Sequence, residues 1–112
     1  MTGSQRDEIP SGTLDLLILK TLARHGEMHG FEIADSIQAA TEDVLQVEEG
    51  SLYPALQRML LKGWLQGEWG KTGENRRARY YTLTAEGRKQ LRQEIERYGR
   101  VSQAIARILE PA

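Results

Sequence analysis

Tyr53, Gln57 and Arg58, with Ser51 and Lys62 at their edges, are the residues of this chain best equipped to do chemistry with a ligand. Their hydroxyl, amide and cationic groups bond phosphate oxygens and the donor and acceptor edges of nucleobases. Within residues 50–63 they share one side of a helix with Pro54, at 100° per residue. The opposite side carries Leu52, Ala55, Leu56, Met59 and Leu60, at the i, i+3, i+4, i+7, i+8 spacing of a buried stripe. Pro54 fits the first turn, where its missing N–H is not needed, so the spacing predicts a start at 49–51, with Gly63 as the left-handed stop. Taken alone, the polar face is equally well an ordinary solvated surface.

A second cationic group follows. Lys71, Arg76 and Arg77 lie in the turn-rich stretch 70–77, and Arg79 just inside the next element. On either side the period changes from 3.6 to 2: Leu65, Gly67 and Trp69 alternate with Gln66 and Glu68, and Arg79, Tyr81 and Leu83 with Tyr80 and Thr82. The pattern predicts two strands joined by a loop too long for a two-residue turn. An extended basic hairpin directly behind a helix has the form of a wing, although a solvated loop with arginines is common. Trp64 and Trp69, at the base of the hairpin, are expected to pack in the core and along the strands.

Three helices must hold these groups in place. From Ser11 or Thr13 as N-cap, with Asp15 in the first turn, a helix runs to about His25 and stops at Gly26. It is apolar nearly all round, so it must be covered on several sides, and a partner subunit is expected to supply part of the cover. A second helix carries Phe31, Ile33, Ala34, Ile37 and Ala40 inward and ends near Thr41; Val44, Leu45 or Val47 anchors the connection that follows. With residues 50–63 as the third, reading helix, this is the helix-turn-helix arrangement. Residues 1–10 are polar and are assigned no regular structure.

Thr84 is placed as the cap of a last helix of about 25 residues, roughly 38 Å long. Leu91, Ile95, Tyr98, Ser102, Ile105 and Leu109 follow alternating steps of four and three, widened by Val101 and Ile108. That seam is too long for the small domain to cover, and we read it as a dimerisation surface joined by Leu14 and Leu17; packing against the first helix is the plainer alternative. Tyr98, beside the small residues Gly99 and Ser102, interrupts the aliphatic seam and is a candidate effector site, with a simply packed tyrosine as the competing reading.

The net charge of −1 argues against a polyanionic partner until the chain is divided. Residues 1–49 hold three Lys/Arg against ten Asp/Glu, a net −7; residues 50–112 hold twelve against six, a net +6. A polyanion would meet the second half. The absence of cysteine, of a membrane-length apolar run and of an N-terminal signal pattern leads to the expectation of a cytoplasmic protein without disulfides. His25 and His29 straddle Gly26 with no third ligand near them, so no metal site is expected. No catalytic motif suggests an enzyme, and no cofactor is expected.

The runs Glu49-Gly-Ser-Leu-Tyr-Pro-Ala-Leu-Gln-Arg-Met59 with Gly63, and Arg79-Tyr-Tyr-Thr-Leu-Thr-Ala-Glu-Gly87, preceded by His29-Gly-Phe-Glu-Ile33, resemble the PadR-like transcriptional regulators over residues 11 to about 110. The single C-terminal helix is similar to the compact branch of that family. The resemblance implies a homodimer, usually a repressor, with the last helix joining the subunits and a small effector often received between them. It makes Tyr53 and Arg58 phosphate or base contacts and lays the wing arginines against the flanking groove. Phe31 departs from a frequent Tyr, removing a possible phosphate bond. Glu48 and Glu49 suit the helix dipole but repel a close phosphate, and they are also placed to accept from a cytosine amino group.

The fold expected is mainly α with a small β-hairpin: an N-terminal arm (1–10), a winged helix-turn-helix domain (11–83) and a dimerisation helix (84–112). The function expected is sequence-specific binding of double-stranded DNA by a homodimer at a pseudo-palindromic operator, acting as a repressor and released by a small hydrophobic effector. The alternative is a winged-helix module that docks a protein and has lost DNA binding. Such a module has no use for Arg58, Lys62, Lys71, Arg76, Arg77 and Arg79 on one helix and its wing.

Overall fold

The computed structural model describes residues 7–10 and 12–111. Ser11, one of the two N-cap candidates, and residues 1–6 lie outside the described residues. Asp7–Glu8, expected without regular structure, form a two-residue strand (β1) whose register is parallel to Leu45–Gln46 (β3). The pairing is made by the backbone, with Asp7 N donating to the Val44 carbonyl at 2.7 Å, and so leaves no side-chain period to read.

Helix α1 (Leu14–His25) begins at Thr13 and ends at Gly26, whose φ of 82° is the conformation that favours glycine. Thr13 does not cap through its side chain; its hydroxyl instead donates to the Pro10 carbonyl at 2.6 Å. Ile18, Leu19 and Leu22 are fully buried, and α1 touches three other helices and the sheet of its own chain. The expected partner is therefore not needed to bury the centre of α1. Leu14 and Leu17 are half-buried against the same core.

Helix α2 (Gly30–Ala40) is opened by His29 through a reciprocal capping box. His29 Nδ1 accepts from Glu32 N at 3.4 Å, and Glu32 Oε1 accepts from His29 N at 3.0 Å. Ile33 and Ile37 point inward as expected, but Phe31 and Ala40 are exposed, Phe31 by 63%. The buried arc of α2 is narrower than its apolar composition suggests. The connection to the next helix turns through two residues of positive φ, Glu42 and Asp43.

Helix α3 (Glu49–Leu61) starts inside the expected window. Pro54 is nonetheless its sixth residue, one turn later than expected, so the Gly50 carbonyl loses its helical donor. Gly50 is exposed, and water can replace that donor. Leu52, Ala55, Leu56 and Met59 are buried, whereas Leu60 is half-buried. Gly63, with φ 78°, ends the turn.

Strands β4 (Leu65–Lys71) and β5 (Arg77–Leu83) run antiparallel from Leu65 opposite Leu83 to Lys71 opposite Arg77. They are longer than the alternation indicated, because the outer rungs are solvent-exposed and carry no apolar signal. A third strand, β2 (Met28–His29), pairs antiparallel with β5 at Tyr80 and Tyr81. It ties the start of α2 to the hairpin. The core joins Ile18, Leu19, Leu22, Ile33, Leu52 and Leu56 to Leu65, Tyr81 and Leu91 of the elements that follow. Trp64 packs against this core, but Trp69 is 60% exposed and belongs to the surface of the hairpin.

Helix α4 (Ala85–Leu109) is capped as expected by Thr84, whose hydroxyl oxygen accepts from Gly87 N at 3.0 Å and donates to the Gly63 carbonyl at 2.6 Å. Only its first turns are buried, at Gly87 and Leu91. Leu91 is thus part of the chain's own core rather than of an open seam. Beyond it Ile95, Tyr98, Val101, Ile105, Ile108 and Leu109 are exposed, and Ser102 is half-buried. The four helices with a small antiparallel sheet form a winged helix followed by a long C-terminal helix.

Candidate nucleic-acid interface

The burial of one face of α3 turns the other outward, and Ser51, Tyr53, Pro54, Gln57, Arg58 and Lys62 are all exposed. Two of these cations already have partners inside the chain. Arg58 Nη2 is hydrogen-bonded and ion-paired to Asp15 Oδ1 in the first turn of α1. Lys62, the residue capping the C-terminus of α3, holds its Nζ 4.7 Å from the centre of the Trp64 ring. Glu48, at the N-cap, makes no side-chain capping bond, and both it and Glu49 are exposed beside the helix start.

Tyr53 lies against the first residue of α2. A Cβ at Gly30 would come within 2.8 Å of its ring and 3.0 Å of its hydroxyl, so the absence of a side chain at Gly30 seats the ring. From there a cleft of about 600 Å³ opens toward the hairpin, bordered by Phe31 and Tyr53 on the helix side and by Arg76, Arg77 and Arg79 on the wing. The wing loop is held by Thr72: its N–H donates to the Arg76 carbonyl at 2.8 Å, and its hydroxyl oxygen accepts from Glu74 N and Arg76 N, each at 3.3 Å. Asn75 takes the one positive φ of this loop, 64°.

The arginines are arranged by their neighbours. The Arg77 guanidinium stacks 4.3 Å from the Trp69 ring centre, and that of Arg79 lies 5.9 Å away. Arg79 also crosses Gly67, where an added Cβ would meet its Nε at 2.6 Å. That Nε is buried without a hydrogen-bond partner. The Tyr81 hydroxyl at the back of the cleft is pushed above the usual phenol range by burial, with Arg79 opposing the shift and Tyr53 adding to it.

The fold therefore brings Tyr53, Arg76, Arg77 and Arg79 to one cleft, with the exposed face of α3 running on from Tyr53. Lys71 is not in that cleft; it borders a separate hollow with Glu27, Glu68 and Tyr80, and its own carbonyl accepts from the Tyr80 hydroxyl at 3.2 Å. Sequence reasoning missed Asp15 as a partner of α3, and it placed Trp69 in packing and Phe31 inward, whereas both are exposed. Gly67 and Gly30, which the side chains of Arg79 and Tyr53 pass closely, were the available signal for the placement of those two, since each leaves space for a large side chain. His29 serves as a cap. Among the described residues no group of three or more His, Cys, Asp or Glu is placed to hold a metal ion.

Beside Tyr98 there is a hollow of about 190 Å³, formed by Gly12, Thr13 and Leu16 of the α1 start with Arg97 and Val101 of α4. The room comes from the start of α1 and not, as expected, from Gly99, which faces open space. Among the described residues no helix is long and apolar enough to cross a membrane.

The profile of the transcriptional regulator PadR-like family matches residues 18–93. A transcriptional regulator from Clostridium thermocellum is similar in structure, with TM-score 0.81 and 28% identity over 88% of this chain and 95% of that one. A PadR-like transcriptional regulator from Bacillus cereus gives TM-score 0.74 and 27% identity over 90% and 95% of the two chains. An uncharacterised protein of Lysinibacillus sphaericus is 27% identical over 105 residues, 94% of this chain and 95% of its own length.

Proposed function

Because this chain belongs to the PadR-like family of transcriptional regulators, and is a DNA-binding regulator rather than an enzyme, we propose that it acts as a homodimeric repressor at a pseudo-palindromic operator. The observation that carries this reading is the shared side of the exposed α3 face and the wing arginines, which meet at Tyr53. Ser51, Tyr53, Pro54 and Gln57 reach base edges and the nearest phosphates in the major groove, and Arg76, Arg77 and Arg79 take the backbone of the flanking groove. Lys71 and Lys62 contribute charge from the margins.

Two subunits join through the exposed α4 seam of Ile95, Tyr98, Ser102, Ile105 and Leu109, with Leu14 and Leu17 at its border. Residues 11–83 then form the reading unit and 84–112 the joining helix, preceded by an arm at 1–10; the protein works in the cytoplasm. A small apolar effector fits beside Tyr98 once a second subunit enlarges the hollow, since about 190 Å³ is below the roughly 300–1,000 Å³ of ordinary ligand sites. By preferring a subunit angle that spoils the half-site spacing, the effector releases DNA at a coupling of about 1–3 kcal/mol.

Duplex fragments selected from the host genome test the reading by gel shift, where saturable, sequence-preferring binding is expected. Binding indifferent to sequence removes the operator reading, and no binding at all argues for the protein-docking alternative. Planar hydrophobic compounds that bind the wild type but not Tyr98→Ala, and that weaken the gel shift, support the effector site; equal binding to both proteins removes it.

A further inference from the structure

The acidic partner of Arg58 separates this residue from the other cations of the reading surface. Arg58 Nη2 bonds Asp15 Oδ1 across 43 positions of sequence, joining the outward face of α3 to the first turn of α1. Asp15 is the better buried of the two, with 20% of its side chain exposed against 48% for Arg58. The carboxylate is therefore the fixed member and the guanidinium the tethered one. By contrast, among the described residues Arg76, Arg77 and Arg79 have no carboxylate within ion-pairing distance.

We propose that Asp15 is a positioning residue for DNA reading: it holds Arg58 in one orientation on α3 and cancels most of its charge toward phosphates. A guanidinium has five donors in a rigid fork, and one bond to Asp15 leaves others free for a base edge or a single phosphate. Tethered in this way, Arg58 contributes to discrimination between sequences and little to the non-specific attraction, which the wing supplies. The same pair keeps Arg58 from swinging to the nearest phosphate on random DNA. This rests on the reading of α3 as the DNA-facing helix.

The test measures affinity against salt for the full-length protein on a selected genomic fragment and on a random duplex of equal length. Wild-type protein that does not prefer the selected fragment overturns the DNA-reading assignment itself, and this inference falls with it. If the preference is present, Arg58→Ala is expected to reduce it about tenfold, within the range of one good base contact, while the salt slope on random duplex stays unchanged. Asp15→Asn is expected to steepen that slope by about 0.9 per subunit and raise random-duplex affinity several-fold, as one freed phosphate contact on each subunit does. In the Arg58→Ala background the same Asp15→Asn change is expected to give a clearly smaller gain, because it removes only the now-unpaired carboxylate and frees no cation.

A slope flattened by about 0.9 per subunit in Arg58→Ala means that the arginine was a free cation all along, and overturns the proposal. An equal gain from Asp15→Asn with and without Arg58 also overturns it, because the acid then acts through its own charge. So does an Asp15→Asn protein that binds like the wild type. If Asp15→Asn fails to fold by circular dichroism, Arg58→Ala alone decides, through its slope on random duplex.

Discussion

Arg79 shows how a side chain is set by the residue it passes over. Its guanidinium crosses the bare backbone of Gly67, toward the Trp69 ring and the cleft. Replacing Gly67 by Ala forces that guanidinium aside at little cost to the strand, since alanine is not worse than glycine there. Stability by urea denaturation is expected to stay within about 0.5 kcal/mol, and the DNA salt slope to lose about 0.9 per subunit, matching Arg79→Ala. A Gly67→Ala protein with the wild-type slope, beside an Arg79→Ala protein without it, would show that the observed path of Arg79 is unimportant. At this scale the sequence was legible where helical geometry fixes direction: Ser51, Tyr53 and Gln57 follow from the stripe behind them. The pairing of Arg58 with Asp15 was not, because no local period links positions 43 apart.

Among the elements, the join between hairpin and α4 is the most exacting. A Cβ at Gly87 would sit 2.1 Å from the Trp64 carbonyl oxygen, a backbone atom that is itself bonded by Thr84 N at 3.1 Å. Gly87 stands inside a helix, where propensity alone predicts that Ala stabilises by roughly 0.5–1 kcal/mol. The close approach reverses the sign. Gly87→Ala is expected to destabilise by about 1–3 kcal/mol in urea denaturation, and a more stable variant would contradict the packing described. The helices and the Thr84 cap were readable because their periods and caps are local. Strand β2 was not, since two residues carry no period and their order comes from pairing with Tyr80 and Tyr81. Helix α1 was read as covered on several sides, but its central cover comes from the chain itself.

For the whole molecule the unresolved need is the far half of α4, where Ile95, Ile105 and Ile108 face solvent at 46%, 53% and 84% exposure. A broad apolar stripe over that length matches the surface a second copy would cover. In the proposed dimer, Ile95→Arg with Ile105→Arg buries unpaired charge at a cost of about 3–5 kcal/mol when nothing compensates it. Light scattering is expected to find a monomer, with circular dichroism showing the domain folded because its core ends at Leu91. A folded dimer of this variant moves the interface elsewhere.

The central claim is that the α3 face and the wing together hold duplex DNA, and the salt dependence of binding to a selected fragment tests it most directly. For the wild type, log affinity is expected to fall linearly with log salt, and Arg76→Ala with Arg77→Ala to reduce that slope by roughly 1.8 per subunit on every sequence. A slope unchanged by the double substitution, or binding indifferent to salt, would contradict the account.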